Sequence, residues 1–274
     1  MILLPEKTLS ERALRMLKKY QQTVTDSGDY AAQVSFAGLK FGSVNTVRNL
    51  TFSEVRDKLL QMSSGAERCH YCEDSKADEV EHIAPKSWYP DKCFVWENYC
   101  IACGPCNGPK NAQFAVFKEA DGLFFEFVER KKDDPIESPP SGRPVLVNPR
   151  FENPLQFLFL DIQGDTFYFE EWAEEGTEEF ERAKYTIKIL GLNSRSYLPV
   201  ARRKAYDNYR ARLREYLVEK TGNAEQAKLD KLTIGIRAEH HPSVWAEMKR
   251  QWQHIPEIRP LFAEIQEEML HGVL

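Results

Sequence analysis

Two Cys-x2-Cys pairs, Cys69/Cys72 and Cys103/Cys106, are separated by 30 residues and can bring four thiolates to one tetrahedral ion. Four sulfurs with no open position make a closed structural zinc site, which holds metal without doing chemistry. Between the pairs lies Val80-Glu-His-Ile-Ala-Pro-Lys-Ser87, followed by Trp96-Glu-Asn-Tyr99, and the second pair runs on into Asn107-Gly-Pro-Lys110. His82 is the group here that can take a proton from water near neutral pH, because an unperturbed imidazole has a pKa of about 6.5. The remaining cysteines, Cys93 and Cys100, fall outside the pairs and read as buried apolar residues. All six cysteines lie between 69 and 106, and that clustering favours metal binding over disulfides.

Taken together, Cys-x2-Cys, Glu-His-x-x-Pro, Asn98 and Cys-x2-Cys-Asn-x-x-Lys resemble the HNH nucleases of the ββα-metal fold. The pairing of Glu81-His-Ile-Ala-Pro-Lys-Ser87 with Phe94-x-Trp96-x-Asn98 and Ala102 to Lys110 is similar to a narrower group, the HNH subunits of Septu-type bacterial anti-phage systems, which act beside an ATPase partner. Leu146-Val-Asn-Pro-Arg150 and Thr186 to Asn193 also look like that group, so the resemblance reaches from about residue 65 to 205.

The resemblance implies an α+β fold with a ββα-metal core and hydrolysis of nucleic-acid phosphodiesters, DNA favoured. That reaction needs a nucleophile made from water, charge stabilisation on the phosphate and relief of charge on the departing oxygen. His82 is then the general base, Asn98 braces the loop that orients it, and Glu81 and Asn107 hold the ion. Glu81 stands where aspartate is frequent, and Asn107 where many relatives have histidine. A carboxylate and an amide carbonyl are hard oxygen donors and suit Mg2+ or Mn2+ better than a soft catalytic zinc. Two separate metals are expected, zinc for the scaffold and magnesium for the reaction.

Lys86 and Lys110 are expected to contact phosphate. Asn107 before Gly-Pro also reads as a helix N-cap, which would place Lys110 on its face one turn later. Trp88, Trp96 and Tyr99 read as core around the zinc module. His70, His240, His241, His254 and His271 are assigned solvated or packing roles.

Net charge is -5, awkward for a protein that approaches phosphates, but it is uneven. Residues 182 to 214 hold ten basic residues against Asp207 alone. With tyrosines interleaved, this stretch could track a nucleic-acid backbone, dock an acidic partner or be a plain solvated face. Arg202, Arg203 and Lys204 are its candidate substrate contacts.

The elements that must position these groups fall into three regions: helical at 1–64, nuclease core with appended strands at 65–175, helical at 176–274. Thr8 and Glu11 read as a capping box opening a helix over 8–24, and a second helix is expected near 52–62, begun by Thr51 or Ser53. Residues 38–49 read as a loop. Strands are expected at 122–128 and 166–170, and 131–144 as an exposed linker. Later helices are expected at about 178–190, 197–220, 224–238, 243–253 and 260–271. The N-terminus has no basic start before an apolar run, and no stretch approaches the roughly 18 apolar residues of a membrane span, so the expected location is cytoplasmic. Two other functions fit the same motifs: a zinc-dependent nucleic-acid-binding module without catalysis, and an RNA-cleaving, toxin-like protein.

Overall fold

A computed structural model describes the chain except residues 132, 133, 165 and 271–274, with the backbone alone for 269 and 270. His271 and the end of the expected last helix lie outside the described residues. Three helices come first: α1 (Glu11–Thr25), α2 (Tyr30–Val44) and α3 (Leu50–Leu60). The α1 cap is Ser10, whose Oγ accepts from the Ala13 N–H while the α3 residue Glu54 receives the Ser10 N–H and Oγ–H, so the Thr8/Glu11 box is corrected. Asn49 caps α3, ahead of the expected Thr51 or Ser53.

The expected loop at 38–49 is mostly helix. Asp29 accepts from Ala32 to start α2, and Ala37, Phe41 and Val44 bury one face. Gly38 and Gly42 have open space where a Cβ would stand, so they cost only about 1 kcal/mol each in helix propensity, which burial of that face overrides.

The centre is a strand–strand–helix unit. Strands β1 (Glu79–His82) and β2 (Tyr99–Ala102) pair antiparallel with His82 opposite Tyr99, and α4 (Gly104–Lys110) follows directly. A three-stranded sheet is then built from β3 (Ala115–Lys118), β4 (Phe124–Glu126) and β5 (Gly142–Pro144), with β3 in the middle. The last strand lies inside the expected linker. A further pair joins β6 (Leu158–Leu160) to β7 (Phe169–Glu171).

The C-terminal helices follow expectation closely: α5 (Glu178–Ile189), α6 (Tyr197–Thr221), α7 (Gln226–Arg237) and α8 (Pro242–Gln251). The expected final helix is divided at Ile265 into α9 (Arg259–Glu264) and α10 (Gln266–Leu270). Buried apolar residues from all three expected regions belong to one core cluster. No helix among the described residues is long and apolar enough to cross a membrane.

The later segments reach back to the centre. The Arg150 guanidinium donates to the carbonyls of Trp96 (3.2 Å) and Tyr99 (2.9 Å) and lies over the Trp96 ring, pinning the turn that enters β2. Thr186 Oγ1 accepts from the Val147 N–H, and Asn193 pairs with both backbone groups of Phe169.

Candidate active site

The knuckles deliver what their spacing implies. The sulfurs of Cys69, Cys72, Cys103 and Cys106 all lie within 4.8 Å of one another, and all four residues are buried. A tetrahedron of thiolates at Zn–S distances of about 2.3 Å has sulfurs about 3.8 Å apart, and Cys72 to Cys103 is 3.8 Å. The cluster could therefore hold a zinc ion. Hydrogen bonds from the other three thiols hold the Cys72 thiol well below its usual range.

Arg195, in the α5–α6 loop, donates to Cys106 Sγ at 3.2 Å, and such a cation beside a ligand sulfur favours the thiolate. The charge run flagged its region but could not single it out. Cys93 and Cys100 are buried apart from the cluster, as expected of apolar residues. His70 packs under it, its Nδ1 accepting from the Ile101 N–H and its Nε2 facing the Leu59 carbonyl.

Along β1 and α4 opens a groove of about 760 Å³. Glu79, Glu81, His82, Lys86 and Asn107 line it, with Phe41 and Asn45 from the α2 side and Arg56 of α3. His82, at the end of β1, is packed between the rings of Phe41 (4.4 Å) and Tyr99 (5.2 Å). Its Nε2 lies 2.9 Å from the Cys93 carbonyl oxygen, which can only accept, so Nε2 carries the hydrogen. Burial, aided by the Lys86 charge, pushes the imidazole pKa down to about 3, so the ring is neutral near pH 7 with its lone pair on Nδ1.

Asn98 ties together the loop that precedes it. Its Oδ1 accepts from the Ala84 N–H, and its Nδ2 donates to the carbonyls of Ala84 and Lys92, tying both ends of the 84–92 loop. Tyr99 Oη donates to the same Cys93 carbonyl that holds His82. The loop thus fixes the acceptor on which the imidazole is hung.

Asn107 is not a helix cap, since α4 begins at Gly104 after Cys103. Its amide nitrogen donates to Glu79 Oε2, which leaves the carbonyl oxygen as its free donor atom. Glu79 was not singled out from sequence, although strand alternation puts it on the same face as Glu81. The Glu81 carboxyl is buried, which raises its pKa despite Lys110 beside it.

Lys110 is a correction. Its ammonium is fully buried, 2.5 Å from Glu81 Oε1 and 2.9 Å from the His82 carbonyl, and is not among the groove-lining residues. It cannot meet a phosphate without breaking that pair. Lys86 does line the groove, half-exposed over the Phe41 ring.

Much of the basic stretch is also spoken for. Arg202 is 0% exposed and donates to the Phe167 and Leu192 carbonyls, so its assignment to substrate is corrected. Arg182 forks onto Glu152, Arg210 pairs with Asp207 and Glu257, and Arg212 pairs with Glu239. Arg203 and Lys204 are exposed. Trp96 and Tyr99 are core, as expected, whereas half-buried Trp88 lines the groove with Arg130 stacked 3.6 Å over its ring.

No family model matches the chain. A curated protein, Septu protein PtuB of Bacillus thuringiensis, is 44% identical over 57 residues. That match covers 19% of this chain and 21% of the relative, so only about a fifth of each is compared.

Proposed function

We propose that this chain is an HNH-type, ββα-metal endonuclease that hydrolyses nucleic-acid phosphodiesters, DNA favoured, as part of an anti-phage defence complex with an ATPase partner. The observation that carries the reading is one groove whose lining brings together neutral His82, the Glu79 and Glu81 carboxylates, Asn107 and Lys86, beside the strand–strand–helix unit that also carries part of a four-thiol cluster. The likeness to a Septu protein supports the defence role.

In this reading zinc staples the hairpin to α4 through Cys69, Cys72, Cys103 and Cys106. Glu81 and Asn107 would hold Mg2+ or Mn2+; their oxygens fit a hard cation, and the Asn107 carbonyl is left as donor by the bond to Glu79. When bound, that ion supplies Lewis-acid stabilisation of charge on the phosphate and departing oxygen. His82 Nδ1 takes the proton of the attacking water, its ring held by the Cys93 carbonyl, and the anionic phosphate beside it offsets the burial and Lys86 charge that otherwise weaken it as a base. Tyr99 Oη holds that carbonyl, Asn98 holds the loop leading to it, and Lys86 faces the phosphate. Arg203 and Lys204 offer further backbone contacts.

The test is cleavage of plasmid, single-stranded DNA and total RNA by purified protein with Mg2+. Nicking or cutting of plasmid that disappears in His82→Ala, with zinc still bound, is the expected result. Activity retained by that variant sinks the mechanism, and cleavage confined to RNA replaces the substrate. A neighbouring reading frame for an ATPase, and co-purification with its product, test the complex.

A further inference from the structure

Lys110 closes α4, and its ammonium is sealed beneath β1 between the Glu81 carboxylate and the His82 carbonyl. A buried cation is costly unless it is paired, and here the pairing partner is one of the two groups assigned above to a divalent ion. One carboxylate carries one negative charge, which the ammonium already balances. A dication entering from the groove therefore meets a neutralised ligand with a positive charge directly behind it. That repulsion is felt more strongly in a poorly solvated setting than in water.

We propose that Lys110 is a built-in counter-ion for Glu81, which keeps the carboxylate in place while the groove holds no ion and keeps the affinity for divalent ions low. The inference rests on the reading of Glu81 as an ion ligand. It implies that the ion's charge is met by groups other than Glu81, namely the neighbouring Glu79 carboxylate and a substrate phosphate, so the ion is held more firmly with nucleic acid present. Lys110 is then a positioning residue, acting through Glu81 and never on the substrate.

Mn2+ binding to the zinc-loaded full chain, followed by electron paramagnetic resonance without nucleic acid, tests this. Lys110→Met should bind Mn2+ at least about tenfold more tightly than the parent, since the opposing charge is gone. Lys110→Arg, which keeps the charge, should retain the parent affinity. The gain should vanish in the double variant Glu81→Gln/Lys110→Met. A purely structural lysine would lower the melting temperature and leave Mn2+ affinity within about twofold, and that outcome overturns the proposal. Should Lys110→Met fail to fold alone, Mn2+ should restore it by replacing the lost cation, and failure to do so also overturns the idea. An Mn2+ gain that depends on Glu81, in a protein that cuts no nucleic acid, leaves the counter-ion standing and removes the nuclease reading.

Discussion

Two parts of the central strand–strand–helix unit do opposite things with the same kind of chain. In one, four sulfurs face inward at mutual distances no larger than 4.8 Å, with an arginine pressed against Cys106. In the other, oxygens and an imidazole line an open groove. Soft, enclosed donors favour permanent occupancy, whereas hard donors beside solvent favour exchange. Both parts depend on α4, which carries Cys106 toward the thiols and Asn107 toward the groove in successive residues. The difference teaches that enclosed soft donors and open hard donors can be carried by neighbouring side chains of one short helix.

The sharpest way to break the comparison is to strip the thiol side. Chelation, or Cys69→Ser with Cys103→Ser, should unfold the central unit, since structural zinc contributes on the order of 10 kcal/mol to such folds; circular dichroism against zinc content reads this. A chelated protein that keeps its melting temperature would show that the cluster is no staple.

Next, His82→Ala should lower the cleavage rate by about 10² to 10⁴-fold while zinc content stays at one per chain, the range expected for a lost general base. Loss of zinc in that variant would erase the separation of the two parts. Arg202→Ala should cost about 3 kcal/mol in denaturant unfolding, because two buried carbonyls lose a charged donor. Arg195→Met should weaken zinc about tenfold in a competition titration, through Cys106 alone. Lys204→Ala should stay within about 0.5 kcal/mol of the parent in stability, so any fall in DNA binding reports the surface itself.

The thiol cluster was legible because metal-ligand spacing is a local property, and the structure brings those four sulfurs together. Helices α5 to α8 were legible for a similar reason, each being periodic and punctuated by Gly or Pro. Helix α2 was not: its two glycines argue for a loop, and only packing of Ala37, Phe41 and Val44 against the core decides otherwise. The groove was half legible, as motif order points to Glu81, His82 and Asn107 but not to Glu79 or to the α2 and α3 wall. The basic stretch misled because charge in a sequence has no direction. Arg202 and Lys204 are two residues apart, one sealed against backbone carbonyls and the other in solvent.

Arg150 clamps carbonyls more than fifty positions earlier in the chain, and Arg195 reaches a sulfur 89 positions earlier. On a ribosome the motif would therefore emerge well before the residues that finish it. A nascent chain halted before Arg150 has the histidine but not the clamp on the turn that sets it. Vectorial synthesis alone thus leaves the groove and the thiol cluster unfinished until the segments carrying Arg150 and Arg195 have emerged.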